Sequence, residues 1–208
     1  MHRIIRRAIT AIAGSAVIAG ALAGPASAGL LVESATGCDN PALSQPFRPW
    51  LDPMSYGLAR GGSFESGSAG WQLSGGARIV SGNEPWRVNR SSDSRSLLLP
   101  SGSSATTPTV CVGLGEPTLR FFTRRNSGLL STLAVQVQTE TSLGLVLSTP
   151  VGADLGLGGW HPTLPMPMLT NLLPLLPGQR TPVRFKITPL LGGSWQVDDV
   201  YVDPMRMR

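Results

Sequence analysis

Histidine, cysteine and lysine are nearly missing from this 208-residue chain, which holds two histidines, two cysteines and a single lysine, Lys186. Only His161 lies beyond the N-terminal segment, and Pro162 follows it directly. No G-x-S-x-G elbow accompanies that histidine, so the sequence offers no serine nucleophile with a base in a motif context. A Cys–His nucleophile is equally unsupported if both cysteines are bridged, and two cysteines with one histidine cannot complete a zinc site. Charged residues make up only 14% of the chain and aromatic residues 6%. No basic stripe interleaved with aromatics occurs, which argues against nucleic acid as a partner. A glycosidase needs two carboxylates, but nothing in the spacing of Glu65, Glu84, Glu140, Asp154, Asp198 and Asp199 singles out a pair. No catalytic residue is assigned, and an enzyme acting on glycosides is only a third reading.

What is present begins with an export signal. Arg3, Arg6 and Arg7 precede an apolar, small-residue stretch over Ala8–Gly24, and Pro25 leads into Ala26-Ser27-Ala28, an A-x-A cleavage pattern. Residues 1–28 therefore read as a signal peptide removed before Gly29. The stretch is shorter than the ~20 residues that span a bilayer and is interrupted by glycines, and no later segment could span one. The expected address is outside the cell or in its envelope. Without the three leader arginines the balance is fourteen basic to twelve acidic side chains, so the high isoelectric point says little about partners.

The remaining 180 residues suit one domain with a real core. In an exported protein two cysteines default to a disulfide, so Cys38 and Cys111 are expected to be bridged. Closing that loop of 73 residues would contribute roughly 4 kcal/mol on the chain-entropy estimate. Residues 29–60 carry Pro41, Pro46, Pro49 and Pro53 and show no sustained periodicity. They are expected to wrap the domain as an extended lead-in, held by Cys38, Phe47, Trp50 and Tyr56.

Residues 61–208 read as all-β. Short alternating runs are separated by Gly, Ser, Asn and Pro at sandwich-like spacing, with no repeat of fixed period. Expected strands are Ala77–Val80, Arg95–Leu99, Thr109–Val112, Thr118–Arg124, Ser131–Thr139, Leu143–Leu147, a run through Val183, Phe185 and Ile187, and Trp195–Val202. In the fourth, Leu119, Phe121 and Thr123 share one face, while Arg120, Phe122 and Arg124 share the other, expected to be wet. Thr141-Ser142 would turn Ser131–Thr139 back into Leu143–Leu147. The segment His161–Gly178 combines five prolines with many Leu and Met residues. It is expected to fold over the sandwich as an apolar flap with a helical turn near Met168–Leu173; the sharper reading is a contact surface for a protein or lipid.

Two fragments carry a family resemblance. Gly61-Gly62-Ser63-Phe64-Glu65, followed by Gly70-Trp71, is similar to the opening N-G-[DS]-F-E…GW of family 4/9-type carbohydrate-binding modules. Val197-Asp198-Asp199-Val200 is similar to their closing [IV]-D-D-[VI]. The resemblance implies a β-sandwich with jelly-roll, galactose-binding-like topology, whose first and last strands are these two fragments. It also implies one structural Ca2+ held by Glu65, a carbonyl near Gly62, and Asp198 or Asp199, since a hard cation takes several oxygens and relieves carboxylate repulsion. The alternative for those residues is turn and backbone hydrogen bonding. Gly61 stands where the pattern has Asn, and Ser63 where Asp is common. The whole mature chain, including its SGNEPW, DSRSLLLP and TPTVCVGL stretches, is also similar to exported proteins of GC-rich Gram-positive bacteria, a likeness that implies an address and no activity.

Sugar platforms need aromatic faces. Trp71 and Trp195 belong to the framework motifs and are expected in the core. Trp86 in its polar loop and Trp160 are the candidate platforms, with Asn83 and Arg87 as candidate hydrogen-bonding partners. The leading reading is a non-catalytic module for glycan or cell-envelope polysaccharide. The runner-up is an extracellular structural or protein-interaction protein that contacts its partner through residues 161–178.

Overall fold

The computed structural model describes residues 41–68, 70–113, 118–140, 143–168 and 180–206. The leader, Cys38, the Thr141-Ser142 turn and the expected helical turn beyond Met168 lie outside these residues.

In chain order the strands are β1 (Leu43–Ser44), β2 (Ser55–Leu58), β3 (Gln72–Ser74), β4 (Arg78–Ser81), β5 (Arg95–Leu99), β6 (Ser104–Thr106) and β7 (Val110–Gly113). They continue as β8 (Thr118–Ser127), β9 (Thr132–Glu140), β10 (Val146–Asp154), β11 (His161–Pro162), β12 (Met166–Pro167), β13 (Arg180–Leu190) and β14 (Ser194–Arg206). The helical content of the described residues is a single 3-10 turn, Arg48–Trp50. Two antiparallel sheets form the sandwich, as the jelly-roll reading requires. In one, β14 pairs β8 along one edge, while β5 and β2 share its other edge end to end; β4 extends β5, β1 extends β2, and β11 and β12 pair β8. In the other, β13 pairs β9 along one edge and β7 and β6 along the other, with β10 beyond β9 and β3 beyond β6.

Period-two alternation places the core. Leu133, Val135 and Val137 of β9 and Val183, Phe185 and Ile187 of β13 face Leu97 and Leu99 of β5, Leu119 and Phe121 of β8, and Trp195, Val197 and Val200 of β14. Each fully buried side chain of this kind contributes about 1.5–3 kcal/mol relative to exposure. The framework tryptophans Trp71 and Trp195 are buried there, as their motifs require.

Three expectations need correction. The described residues of the Gly61–Trp71 fragment, 61–68 and 70–71, form turns rather than the first strand, because Gly61, Phe64, Gly67 and Gly70 all take left-handed φ values through which a strand cannot pass. The strand beside β14 is instead β2, within the segment read as a non-periodic lead-in; at four residues it is too short to show periodicity. The second face of β8 is not wet, since Arg120 and Phe122 are buried beneath Phe47 and Trp50. Finally, the partner of β9 begins at Val146 rather than Leu143 and runs on to Asp154, bulged between Pro150 and Gly152.

At one end of the sandwich the β8–β9 and β13–β14 turns touch through glycines. A Cβ on Gly193 would lie 2.4 Å from the Ser127 carbonyl oxygen and 3.0 Å from the Gly128 Cα, and its φ is +91°. Gly193→Ala is therefore expected to cost about 2–4 kcal/mol in chemical denaturation, from backbone strain plus overpacking. A cost under 1 kcal/mol would show that the two turns separate freely.

Candidate functional site

The Val-Asp-Asp-Val motif forms a β-bulge. The register of β14 against β8 shifts between Asp198 and Tyr201, and Asp199 adopts φ +46°, a conformation that Asp tolerates better than most residues. The bulge falls where β5 ends and β2 has yet to begin, and the Gly61–Glu65 turn fills that gap. Ala59 N–H donates to the Val200 carbonyl at 2.8 Å and Val200 N–H to the Gly62 carbonyl at 3.1 Å. A Cβ on Gly62 would lie 2.8 Å from the Val200 oxygen, so only glycine permits this approach.

Around the bulge four acidic side chains are buried: Glu84, Asp93, Asp198 and Asp199. Three of the groups expected to hold a cation are occupied by the backbone. Glu65 Oε1 accepts the Ser94 and Arg95 amides, both at 2.7 Å, and the Gly62 carbonyl accepts Val200. Asp198 accepts the Glu84 amide at 3.1 Å and the Asp199 amide at 2.9 Å. Asp199 differs. Both its oxygens are buried without a formed hydrogen bond. Burial pushes its pKa up to about 8, with the negative charges of Glu84, Asp93 and Glu65 adding to the effect while the Asn89 amide pulls the other way. Burial and the charge of Asp199 push Asp198 up to about 9. A hard cation fits this all-oxygen donor set by type and charge. As placed, no three His, Cys, Asp or Glu side chains converge into a metal-holding group among the described residues. Backbone carbonyls would have to complete the set.

Beside the bulge, Gly82, Asn83, Glu84, Pro85, Arg87, Asp93 and Ser94 line an open polar cleft of about 470 Å3. Glu84 organises its floor, accepting the Trp86 and Val88 amides at 2.6 Å each. Arg87, at φ +51°, is held by its Nη1 bond to the Ser91 carbonyl at 2.9 Å, and Asn89 donates to Asp93 at 2.8 Å. The Asn83 amide nitrogen bonds Glu84, while its oxygen is buried without a partner. Two of the sequence-derived binding residues, Asn83 and Arg87, thus meet in one cleft. Trp86 stands outside it, 46% exposed, with its ring 4.8 Å from Trp50 at 88° and 5.8 Å from Phe122. Trp160 is half-buried on the same outer face, 5.4 Å from the Arg124 guanidinium. Asp93 and Ser94 also line the cleft, although in sequence they only precede the strand at Arg95–Leu99 and carry no motif.

This face rests on an ion pair that sequence reading did not reveal. Arg120 Nη1 bonds Asp52 Oδ2, its Nε donates to the Thr163 carbonyl at 2.9 Å, and its Cζ lies 4.1 Å from the Phe47 ring centroid. Burial alone would raise the Asp52 pKa, but hydrogen bonds from Tyr56, the Met54 amide and Arg120 carry it below the ordinary carboxylate value.

His161 is engaged locally: Nε2 lies 2.8 Å from Asp154 Oδ2 and Nδ1 2.9 Å from the Gly159 carbonyl. Burial opposes its protonation, yet these acceptors raise its pKa on balance. The described part of the 161–178 segment packs along β8, with Thr163, Met166 and Met168 buried. Cys111 lies on β7 and is not free, while its expected partner Cys38 is outside the described residues.

No family model matches the chain, and no curated protein matches it. Several solved structures are similar. The CBM22-1–GH10 modules of Clostridium thermocellum endo-1,4-beta-D-xylanase 10B, complexed with xylohexaose, match at 15% identity and a TM-score of 0.47, over 64% of this chain and 26% of that one. The CBM22-1 xylan-binding domain of Paenibacillus barcinonensis Xyn10C matches at 13% identity and 0.46, over 68% and 90%. A CBM61 module in complex with beta-1,4-galactotriose matches at 18% identity and 0.38, over 70% and 96%. These likenesses, each under 20% identity, are to carbohydrate-binding modules of families 22 and 61.

Proposed function

We propose that this is an exported, non-catalytic glycan-binding module, with the Gly82–Ser94 cleft as its site and Trp86 at the rim. One observation carries the reading: a polar cleft lined by Asn83, Arg87, Asp93 and Ser94 adjoins a half-exposed indole backed by Trp50 and Phe122. Hydroxyl groups suit the cleft and the C–H face of a pyranose suits the indole. The loop is pre-ordered by Glu84, so little conformational entropy is lost on binding. A Ca2+ ion at the Asp199 bulge would neutralise the acidic floor and fix the loop. The engagement of both His161 ring nitrogens leaves that residue poorly placed to act as a base. Among the described residues no helix is long and apolar enough to cross a membrane.

The test is a glycan array that includes xylan and β-1,4-galactan oligosaccharides, probed with the oxidised mature chain in calcium. Binding is expected, and Trp86→Ala should weaken it about ten-fold or more, the loss of one stacking contact of roughly 1.5 kcal/mol. Silence from folded protein, or binding that ignores Trp86→Ala, would overturn the site.

A further inference from the structure

The end of the sandwich where β14 begins, away from the cleft, carries a second surface. Three connections lie there: the β8–β9 turn, the chain leaving β10, and the β13–β14 turn. Each is tipped by leucines: Leu129 and Leu130, Leu155 and Leu157, Leu190 and Leu191. These six are between 45% and 83% exposed, and residues 126–131, 155–160 and 189–194 contain no charged side chain. We propose that this end docks on a lipid surface, its leucines entering the outer acyl region.

The tips form one body. Gly128 and Gly193 pack against each other, and a Cβ on Gly156 would lie 2.8 Å from the Trp195 ring. Arg125 Nη1 donates to the Leu155 carbonyl at 2.7 Å, and Ser131 Oγ donates to the Leu190 carbonyl at 2.9 Å while accepting Trp195 Nε1 at 2.8 Å. The Ser131 amide closes the β8–β9 turn on the Gly128 carbonyl at 2.8 Å. Loops entering hydrocarbon need their backbone groups satisfied from within the protein, and the Leu155 and Leu190 carbonyls already are.

The chemistry of the tips also selects the occupant. Protein interfaces are enriched in aromatic residues, Met and Arg, and leucine is under-represented among their energetic centres. Here the large exposed side chains are all leucine, and the one aromatic, Trp160, is half-buried against Arg124 on the outer face. The first positive charges behind them are Arg124 and Arg125, two to three residues back from the end of β8 at Ser127. That is roughly 7–10 Å at strand rise, the depth that separates inserted apolar groups from the anionic phosphate layer. Asp154, the nearest acidic residue in the chain to Leu155, is already paired with His161. An uncharged tip with positive charge behind it complements a lipid surface. The cleft loop joins β4 to the start of β5, whose other end, Leu99, pairs Trp195 beside the leucine tips, so the two surfaces lie a strand length apart and could act at once.

The experiment is co-sedimentation of the mature chain with phosphatidylcholine vesicles, in low and high salt, with size-exclusion measurement of oligomeric state. Partition into the vesicles is expected to persist in high salt and to fall at least ten-fold in L129S/L130S/L157S. It should be unchanged in L143S, which removes an equally exposed leucine from the opposite end of β9. All four positions are surface sites, and unchanged melting curves would show that the variants fold. Several outcomes would overturn the proposal: no partition, equal loss in L143S, binding to phosphatidylglycerol vesicles alone that salt abolishes, or a dimer that the triple variant dissolves without any lipid binding.

Discussion

Calcium is expected to raise the melting temperature by about 5–10 °C at pH 8 and by much less at pH 5, relative to protein in chelator. The reason lies in Asp199, whose carboxylate is buried without a formed hydrogen bond among Glu84, Asp93, Glu65 and Asp198. In chelator, Asp198 and Asp199 titrate at about 9 and about 8 rather than at 3.8. The folded state then binds protons more tightly than the unfolded state. Stability is greatest below the unfolded value and falls as pH rises toward the folded values. A cation competes with those protons, so its affinity climbs across the same window. Near pH 7 the folded state holds Asp199 mostly protonated, and taking up that proton costs about 2–4 kcal/mol on this linkage, less than the simple sum because the groups are coupled. Asp199→Asn keeps the left-handed backbone accessible. It should therefore stabilise the chelated protein at pH 8 by about 2 kcal/mol and remove most of the calcium gain. A flat stability–pH curve in chelator, with no response to calcium, would mean that the acidic floor carries no charge stress and holds no ion.

Arg120→Met is expected to cost about 3–5 kcal/mol, or a drop in melting temperature of roughly 8–15 °C. The guanidinium is buried between two segments far apart in sequence, the Phe47–Asp52 turn and the Thr163 carbonyl. Removing it strands the Asp52 carboxylate, which is 15% exposed, beneath Phe47 and Tyr56. Adding Asp52→Asn to Arg120→Met should recover part of the loss, because the stranded charge then disappears while the Tyr56 hydroxyl keeps an acceptor. If the proposed site holds, the single variant should also weaken glycan binding, since Trp50, two residues from Asp52, packs against Trp86. Denaturant midpoints of the two variants decide the point: a single-variant loss below 1 kcal/mol, or no recovery in the double variant, would reduce the pair to a surface contact.

The strands were largely legible from sequence, because alternation is local. β5 matched its expected limits, and β8, β9 and β13 showed their inward faces through Leu119 and Phe121, Leu133 to Val137, and Val183 to Ile187. The glycines of Gly61–Trp71 were equally visible, yet their left-handed φ values turned an expected strand into turns. Local pattern could not say that Arg120 and Phe122, on the polar-looking face of β8, would be roofed by residues 47–54. Nor could it place Asp93 beside Asp199. Glu84 meets Asp198 across 114 residues, and Arg120 meets Asp52 across 68. Such meetings follow from strand order and register, which depend on how the whole apolar surface is buried at once. The all-β class, the inward faces of the strands and the end motifs follow from local alternation and composition alone. Which side chains share the cleft, which carboxylate is left without a hydrogen bond, and which leucines gather at one end depend on strand order and register.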